Sequence, residues 1–312
     1  MTSPTCVAMQ AVARRMPPLL HPKHFNRTFS PLNRSFHAAS NLRALDLAFD
    51  YHENGGKATG APIVFLHGLF GSKKNNRSMS KALARDLNRP VYAIDLRNHG
   101  DSPHDATHNY KVLAEDTENF LRQHNLKDPT LIGHSMGAKT VMTVALRSPD
   151  SCANIIAVDN APADAALASD FPIFVRGMQK VEKAEVKTQK EADKILEPFV
   201  KELPVRQFLL TNLIKNPNET HLKFRIPVSI LARSLDDMAD FPFTNPEENR
   251  FEKPALFVRG TKSHYISDET IPIIGRFFPR FELVDVEAGH WVASENPEHF
   301  KRAVVEFLQD KE

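Results

Sequence analysis

Ile132-Gly133-His134-Ser135-Met136-Gly137-Ala138 is the stretch whose reading decides the fold. A short apolar run over 129–132 leads into it as a strand would, and helix-forming residues over 139–147 lead out of it. Strand, Gly-x-Ser-x-Gly, helix is the layout of a nucleophile elbow. The serine sits at a sharp, strained turn, and a side chain two positions to either side would strike the strand or the helix. Glycine is required there, and the hydroxyl is pushed out over the carboxyl edge of a sheet. A free alcohol is a weak nucleophile. The turn matters chemically only if an imidazole takes its proton, a carboxylate orients that imidazole and amides receive the oxyanion.

Upstream, 62–66 is a continuous β-branched and aromatic run, as expected of a strand buried on both faces. It stops at His67-Gly68-Leu69-Phe70-Gly71, where two glycines permit a tight loop with inward-facing amides. A helical pattern over 78–88 and a second buried strand over 91–96 follow. Strand, helix, strand at this spacing implies a right-handed crossover and a parallel sheet. Residues 44–51 alternate like a half-exposed first strand, and 110–124 carry helical periodicity. The runs 154–159, 255–260 and 281–286 complete the sheet, and an amphipathic helix over 297–308 closes the chain. The fold class is α/β, with a mostly parallel central sheet flanked by helices.

Between 164 and 252 the alternation of strand and helix stops. Helical, charge-mixed segments such as 179–197 and 204–214 take over, punctuated by Pro198, Pro204, Pro217, Pro227, Pro242 and Pro246. The expected organisation is a core of 43–163 and 253–312 with a helical lid, 164–252, inserted over the strand ends. Its phenylalanines, including Phe171, Phe174, Phe208, Phe241 and Phe243, are read first as lid core and only second as substrate wall. The charge run 180–194 reads as a solvated helix face.

A chain of 312 residues can bury a full core, and its net charge of +2 does not favour nucleic acid as a partner. Two cysteines, Cys6 and Cys152, supply no disulfide framework and fit a reducing interior. Residues 1–44 contain no Asp or Glu, while Arg14, Arg15, Lys23, Arg27, Arg34 and Arg43 stand among hydroxyl-bearing residues. That is the composition of an organellar transit peptide. Arg27-Thr28-Phe29-Ser30 and Arg34-Ser35-Phe36 resemble mitochondrial processing sites, so 1–42 is expected to be a transit peptide or disordered leader. No run approaches the roughly 20 apolar residues of a spanning helix.

Across an open parallel sheet, reactive groups collect outside the carboxyl ends of the strands. His290, on a Gly-containing loop after the last strand, is the candidate base for Ser135. The acid is less obvious. The turn after 255–260 reads Thr261-Lys262-Ser263-His264-Tyr265 and holds no carboxylate before Asp268, whereas Asp159 stands at the end of the strand beside the elbow. Asp159 is preferred, because Asp268 also suits the N-cap of a helix over 269–278. The oxyanion amides are expected from Met136 and Leu69. The polar loop Asp95-Leu96-Arg97-Asn98-His99-Gly100-Asp101-Ser102 is read as a loop-fixing network.

From about Leu45 onward the chain resembles the mitochondrial α/β-hydrolase group that includes the fungal ethanol acetyltransferases. The residues that carry this are His67-Gly68-Leu69-Phe70-Gly71-Ser72, Asn75-Asn76, 95–104, Gly133-His134-Ser135-Met136-Gly137-Ala138-Lys139, Val158-Asp159-Asn160-Ala161-Pro162 and Gly289-His290-Trp291. The resemblance implies an α/β-hydrolase fold, Asp159 as the acid in a Val-Asp-x-x-Pro motif, and esterase or thioesterase activity. It also implies transfer of acetyl from acetyl-CoA to ethanol, with acetyl-CoA as acyl-donor substrate and no cofactor or metal. The competing expectations are a lipid-ester hydrolase without transfer, or an idle scaffold that binds a matrix protein. Expected partners are a small acyl ester or thioester and an alcohol or water acceptor, in the mitochondrial matrix.

Overall fold

In the computed structural model the described residues are 44–56, 58–164 and 170–309; the expected leader, 1–42, lies outside them. The chain runs β1 (Phe49–His52), β2 (Ile63–Leu66), α1 (Lys73–Leu87), β3 (Val91–Ile94), α2 (Tyr110–Gln123), β4 (Thr130–His134), α3 (Met136–Arg147) and β5 (Asn154–Val158). An insertion follows: α4 (Asp170–Lys183), α5 (Gln189–Leu196), α6 (Leu203–Leu210), the short strands β6 (Leu213–Ile214) and β7 (Lys223–Phe224), α7 (Val228–Arg233) and α8 (Leu235–Ala239). The sheet then resumes with β8 (Ala255–Gly260), α9 (Ile271–Phe277), β9 (Phe281–Val286), α10 (Val292–Glu295) and α11 (Pro297–Gln309).

The seven main strands lie in the order β1-β3-β2-β4-β5-β8-β9. Only β1 is antiparallel, pairing Phe49 with Ile94, and the other pairings are parallel. Strands buried on both faces explain why β2, β4 and β5 read as unbroken apolar runs. On one face Leu83, Phe300, Val304 and Phe307 of α1 and α11 pack on Ile63, Phe65, Ile132 and Ile156. On the other, Leu113, Phe120, Met142 and Val144 of α2 and α3 share an apolar core with Val175, Met178, Leu209, Leu231 and Met238 of the insertion. Each such large side chain contributes about 1.5–3 kcal/mol by leaving water.

Several elements differ from the sequence reading, and the first strand, expected over 44–51, is Phe49–His52. Helix α1 begins at Lys73 instead of 78, because its first turn is polar and gives no periodic signal. Its start is set by the Ser72 N–H donating to Asn75 Oδ1 at 2.7 Å. The expected helix over 179–197 is two helices, broken where Glu185 takes φ 47° and Thr188 caps α5 by accepting from Glu191 N–H at 3.2 Å. The insertion, expected to be helical throughout, also contains the antiparallel β6–β7 ribbon, which pairs Leu213 with Phe224.

The insertion is tied to the elements that carry the strand ends. Lys139 on α3 is buried, and its Nζ donates to the carbonyls of Ala239 at 2.7 Å and Asp240 at 3.0 Å. Burial lowers that ammonium to about 8. Tyr110 donates to the Met238 carbonyl at 2.9 Å, and Asn212 Nδ2 donates to the Phe70 carbonyl at 2.8 Å.

Close packing at the elbow is set by glycine. A Cβ on Gly137 would stand 2.6 Å from the Leu66 carbonyl oxygen and 2.8 Å from that of His67, both rigid backbone atoms. Gly137→Ala should therefore lower stability by about 3 kcal/mol through overpacking. Urea titration of the variant checks this, and an unchanged midpoint would show that α3 and β2 have room to separate.

Candidate active site

Strand β4 ends at His134 and α3 begins at Met136, so Ser135 alone makes the turn, with φ 55° and ψ −112°. A non-glycine residue at positive φ is strained, and here the surroundings hold it. The Ser135 N–H donates to the Val158 carbonyl at 3.0 Å, and its own carbonyl accepts from Asn160 Nδ2 at 3.3 Å. With the backbone clamped on both sides, Oγ lies 2.9 Å from His290 Nε2.

Asp159 follows the end of β5 and also has positive φ, 52°. Its side chain has no exposed surface, so its charge depends on donors. One oxygen accepts from the Gly260 N–H at 3.0 Å; the other accepts from Ser263 Oγ at 2.5 Å and from His290 Nδ1 at 2.7 Å. The structure therefore brings Ser135, His290 and Asp159 into one hydrogen-bonded line. Asp268 is elsewhere: it is exposed, accepts from Arg259 at 2.6 Å and opens a 3₁₀ turn, Asp268–Thr270, ahead of α9. It is not the N-cap expected for a helix over 269–278, because α9 starts later with Thr270 at that position, and Ser267 precedes the 3₁₀ turn.

The sequence reading missed two side chains here. The turn after β8, noted for having no carboxylate, supplies Ser263 as a donor to Asp159 and Tyr265 as a ring stacked on His290, with centroids 4.1 Å apart. The signal was their place just past a strand end, not their residue type. His290 is further steadied through its carbonyl, which accepts from His134 Nε2 at 2.7 Å. Glu295 of α10 accepts from the Gly289 N–H at 2.7 Å and fixes the same loop.

The loop after β2 is held by histidines used as acceptors. Leu96 N–H donates to His67 Nε2 at 3.0 Å, which puts the His67 proton on Nδ1, where it faces the Gly68 carbonyl at 2.8 Å. Phe70 N–H donates to His99 Nε2 at 3.1 Å, and Gly71 N–H donates to the Gly68 carbonyl at 2.9 Å. Leu69 lies in this loop beside the cavity, and Met136 is the first residue of α3 after Ser135. The Asp95 to Ser102 loop behaves as a fixing network. Asp95 pairs with buried Lys73, Arg97 donates to both oxygens of Asp116 at 2.6 and 2.9 Å, and Asn98 Nδ2 lies 3.3 Å from His108 Nδ1.

A cavity of about 640 Å³ opens over Ser135. Phe171, Phe174 and Phe208 line it beside Trp291 while also packing against the core, so each of the three serves both as lid core and as cavity wall. Phe241 is buried and packs against Phe277, in keeping with that reading. Phe243 also stays with the core, beside Phe241.

Burial lowers the imidazoles of His67 and His99, and takes His108 to about 3 and His134 to about 4. Above the ordinary value of 6.5 all four are neutral whether the chain is folded or not. Below it the unfolded chain binds protons that the native state refuses, so stability falls as pH falls. Thermal melts should give a flat midpoint between about pH 7 and 8 and a steep decline below about 6.5. A midpoint unchanged down to about pH 5 would contradict the neutral histidine scaffold.

Residues 61–297 match the family described as alpha/beta hydrolase fold. The chain is 40% identical over 291 residues to a probable alcohol acetyltransferase of Saccharomyces cerevisiae, covering 86% of this chain and 84% of that protein. It is 41% identical over 276 residues to an sn-1-specific diacylglycerol lipase of Xenopus laevis, covering 86% of this chain and 85% of that protein. Among solved structures, a marine microorganism esterase superposes with a TM-score of 0.78 at 32% identity, covering 84% of this chain and 99% of that one. The chain belongs to the α/β-hydrolase family, among relatives named as acetyltransferases and lipases.

Proposed function

We propose that the protein is a serine acyl-transfer enzyme with Ser135 as nucleophile, His290 as general base and Asp159 as the carboxylate that orients it. The observation that carries this is the line of contacts from Asp159 Oδ2 to His290 Nδ1 at 2.7 Å and from His290 Nε2 to Ser135 Oγ at 2.9 Å. Ser135 Oγ attacks the acyl carbonyl while its proton passes to His290 Nε2, and Asp159 stabilises the imidazolium. The N–H groups of Leu69 and Met136 receive the oxyanion. Collapse of the tetrahedral intermediate expels an alcohol or thiol, which takes the proton from His290. Water or a second alcohol then attacks the acyl-enzyme by the same route in reverse.

In this reading the substrates are short acyl esters and thioesters, with acetyl transfer from acetyl-CoA to ethanol as a further activity. Relatives named as alcohol acetyltransferases support it. The protein acts in the mitochondrial matrix, a reading supported by its acid-free, arginine-bearing first 44 residues. The insertion serves as a lid that sets acceptor choice. One observation favours a second reading, a lipid-ester hydrolase without transfer: a cavity of about 640 Å³ walled by Phe171, Phe174 and Phe208 exceeds the needs of acetyl and ethanol.

Ser135→Ala should lower kcat/KM by about 10⁴-fold or more with an unchanged melting temperature. Activity close to that of the native enzyme would remove the mechanism. Asp159→Asn should cost about 10⁴-fold and Asp268→Asn under twofold, while Ser263→Ala should cost about tenfold, the worth of one hydrogen bond to a charged group. Equal losses from the two aspartate variants would reject Asp159 as the acid. The purified chain incubated with acetyl-CoA should yield ethyl acetate in proportion to added ethanol; acetate alone, with rapid cleavage of long-chain diacylglycerol, would select the lipid-ester reading.

A further inference from the structure

The imidazole of His290 lies beside three aromatic rings, and the mechanism above uses none of them. Tyr265 has its centroid 4.1 Å away with planes 24° apart, His134 lies at 4.9 Å and 43°, and Trp291 at 5.9 Å and 64°. Of the three, Tyr265 is the nearest and the most nearly parallel, so it presents its face to the imidazole. The face of a phenol ring carries negative potential. A neutral imidazole over it gains only an ordinary stacking contact, whereas a positively charged one is attracted electrostatically as well.

The ring is fixed on the same frame as the base. Thr261 N–H donates to the Val286 carbonyl and Lys262 N–H to the Ala288 carbonyl, both at 2.9 Å, so the turn after β8 is laced to the segment leading to His290. Tyr265 N–H donates at 3.3 Å to Ser263 Oγ, the hydroxyl that donates to Asp159. Ile266, the next residue, is buried and anchors the end of the turn. Among the described residues the titratable groups at His290 are Asp159, His134 and Tyr265; His264 stacks on Tyr265, and Glu295 holds the loop through the amides of Gly289 and Trp291. Burial takes His134 to about 4, so it adds no second charge beside the base. Burial, Asp159 and Asp170 push the Tyr265 phenol up to about 12, so its ring stays uncharged.

We infer that Tyr265 is a positioning residue whose ring face holds the imidazolium form of His290 during acyl transfer. This rests on the acyl-enzyme reading above. As the bond from Ser135 Oγ to the acyl carbon forms, the Oγ proton moves to His290 Nε2 and the ring becomes a cation. The proton then leaves with the departing alcohol or thiol. In the second half-reaction water or an alcohol gives its proton to Nε2, the bond from the acyl carbon to Oγ breaks, and the proton returns to Oγ. An attraction present for the cation and absent for the neutral base lowers the barrier of both halves. Asp159 acts in the plane of the imidazole, at Nδ1, and Tyr265 acts on its face.

Fluorine withdraws charge from a ring face while nearly keeping its shape. Phenylalanine and its monofluoro, difluoro and pentafluoro forms, placed at position 265 of the full chain, should lower kcat for p-nitrophenyl acetate in that order. The range should run from within about twofold of native for Tyr265→Phe to about tenfold below it for the pentafluoro ring, with KM steady within about twofold. Tyr265→Leu should also lose about tenfold in kcat, and the acid limb of its kcat/KM profile should move to lower pH. A ring that only filled space would leave that limb in place. If leucine prevents folding, the fluorinated series decides. A kcat indifferent to fluorination overturns the role, and so does an equal loss in Tyr265→Phe and Tyr265→Leu. Absence of a p-nitrophenolate burst and of acetylated Ser135 by mass spectrometry in the native protein overturns the acyl-enzyme reading itself. A burst accompanied by a fluorine-insensitive kcat overturns the role of Tyr265 alone.

Discussion

Asp159 carries a carboxylate that has no contact with solvent, and a buried charge is tolerated only where donors surround it. Three donors do so here, and each comes from a different part of the chain: the Gly260 amide at the end of β8, the Ser263 hydroxyl in the following turn, and the His290 ring beyond β9. The strands β5, β8 and β9 must be neighbours in register for these groups to converge. The carboxylate thus ties the edge of the sheet to the loop that carries the imidazole.

The same economy of polar groups governs the other side of the site. The loop after β2 approaches Ser135 closely, and its backbone donors are absorbed by imidazole nitrogens from the loop after β3. A histidine can act in this way only when neutral, and burial among apolar strand ends keeps it so. Gly68 of this loop stands against the strained turn, a Cβ there reaching 3.2 Å from Ser135 Cβ. Strain at Ser135 and Asp159, both at positive φ, is held by hydrogen bonds from adjacent strands.

The insertion is not an independent body resting on this frame. Its apolar side chains join the core beneath α2 and α3, and its polar ties end on Lys139, Tyr110 and the Phe70 carbonyl. Those three belong to the elbow helix, the helix before it and the loop beside Leu69. A displacement of the insertion is therefore felt at the proposed oxyanion site, and the cavity walls Phe171, Phe174 and Phe208 are positioned by the same packing. The cavity walls and the turn at Ser135 thus share one packed core.

Much of this was legible in one dimension, because local rules produced it. Alternating buried strands and amphipathic helices determine the parallel sheet, and glycines at 133 and 137 determine a turn that no other residue fits. Ser135 and His290 follow from residue type and position after a strand. Asp159 was only preferred, since a carboxylate at a strand end is as easily a cap. Its choice over Asp268 needed the distances, which put one in a buried line of donors and the other in an exposed ion pair with Arg259. The roles of Ser263 and Tyr265 could not be read at all. They depend on which side chains from remote segments meet. Local pattern determined the scaffold and the turn at the serine; only tertiary packing decided the partners, because hydrogen bonds across a sheet edge join residues more than a hundred positions apart.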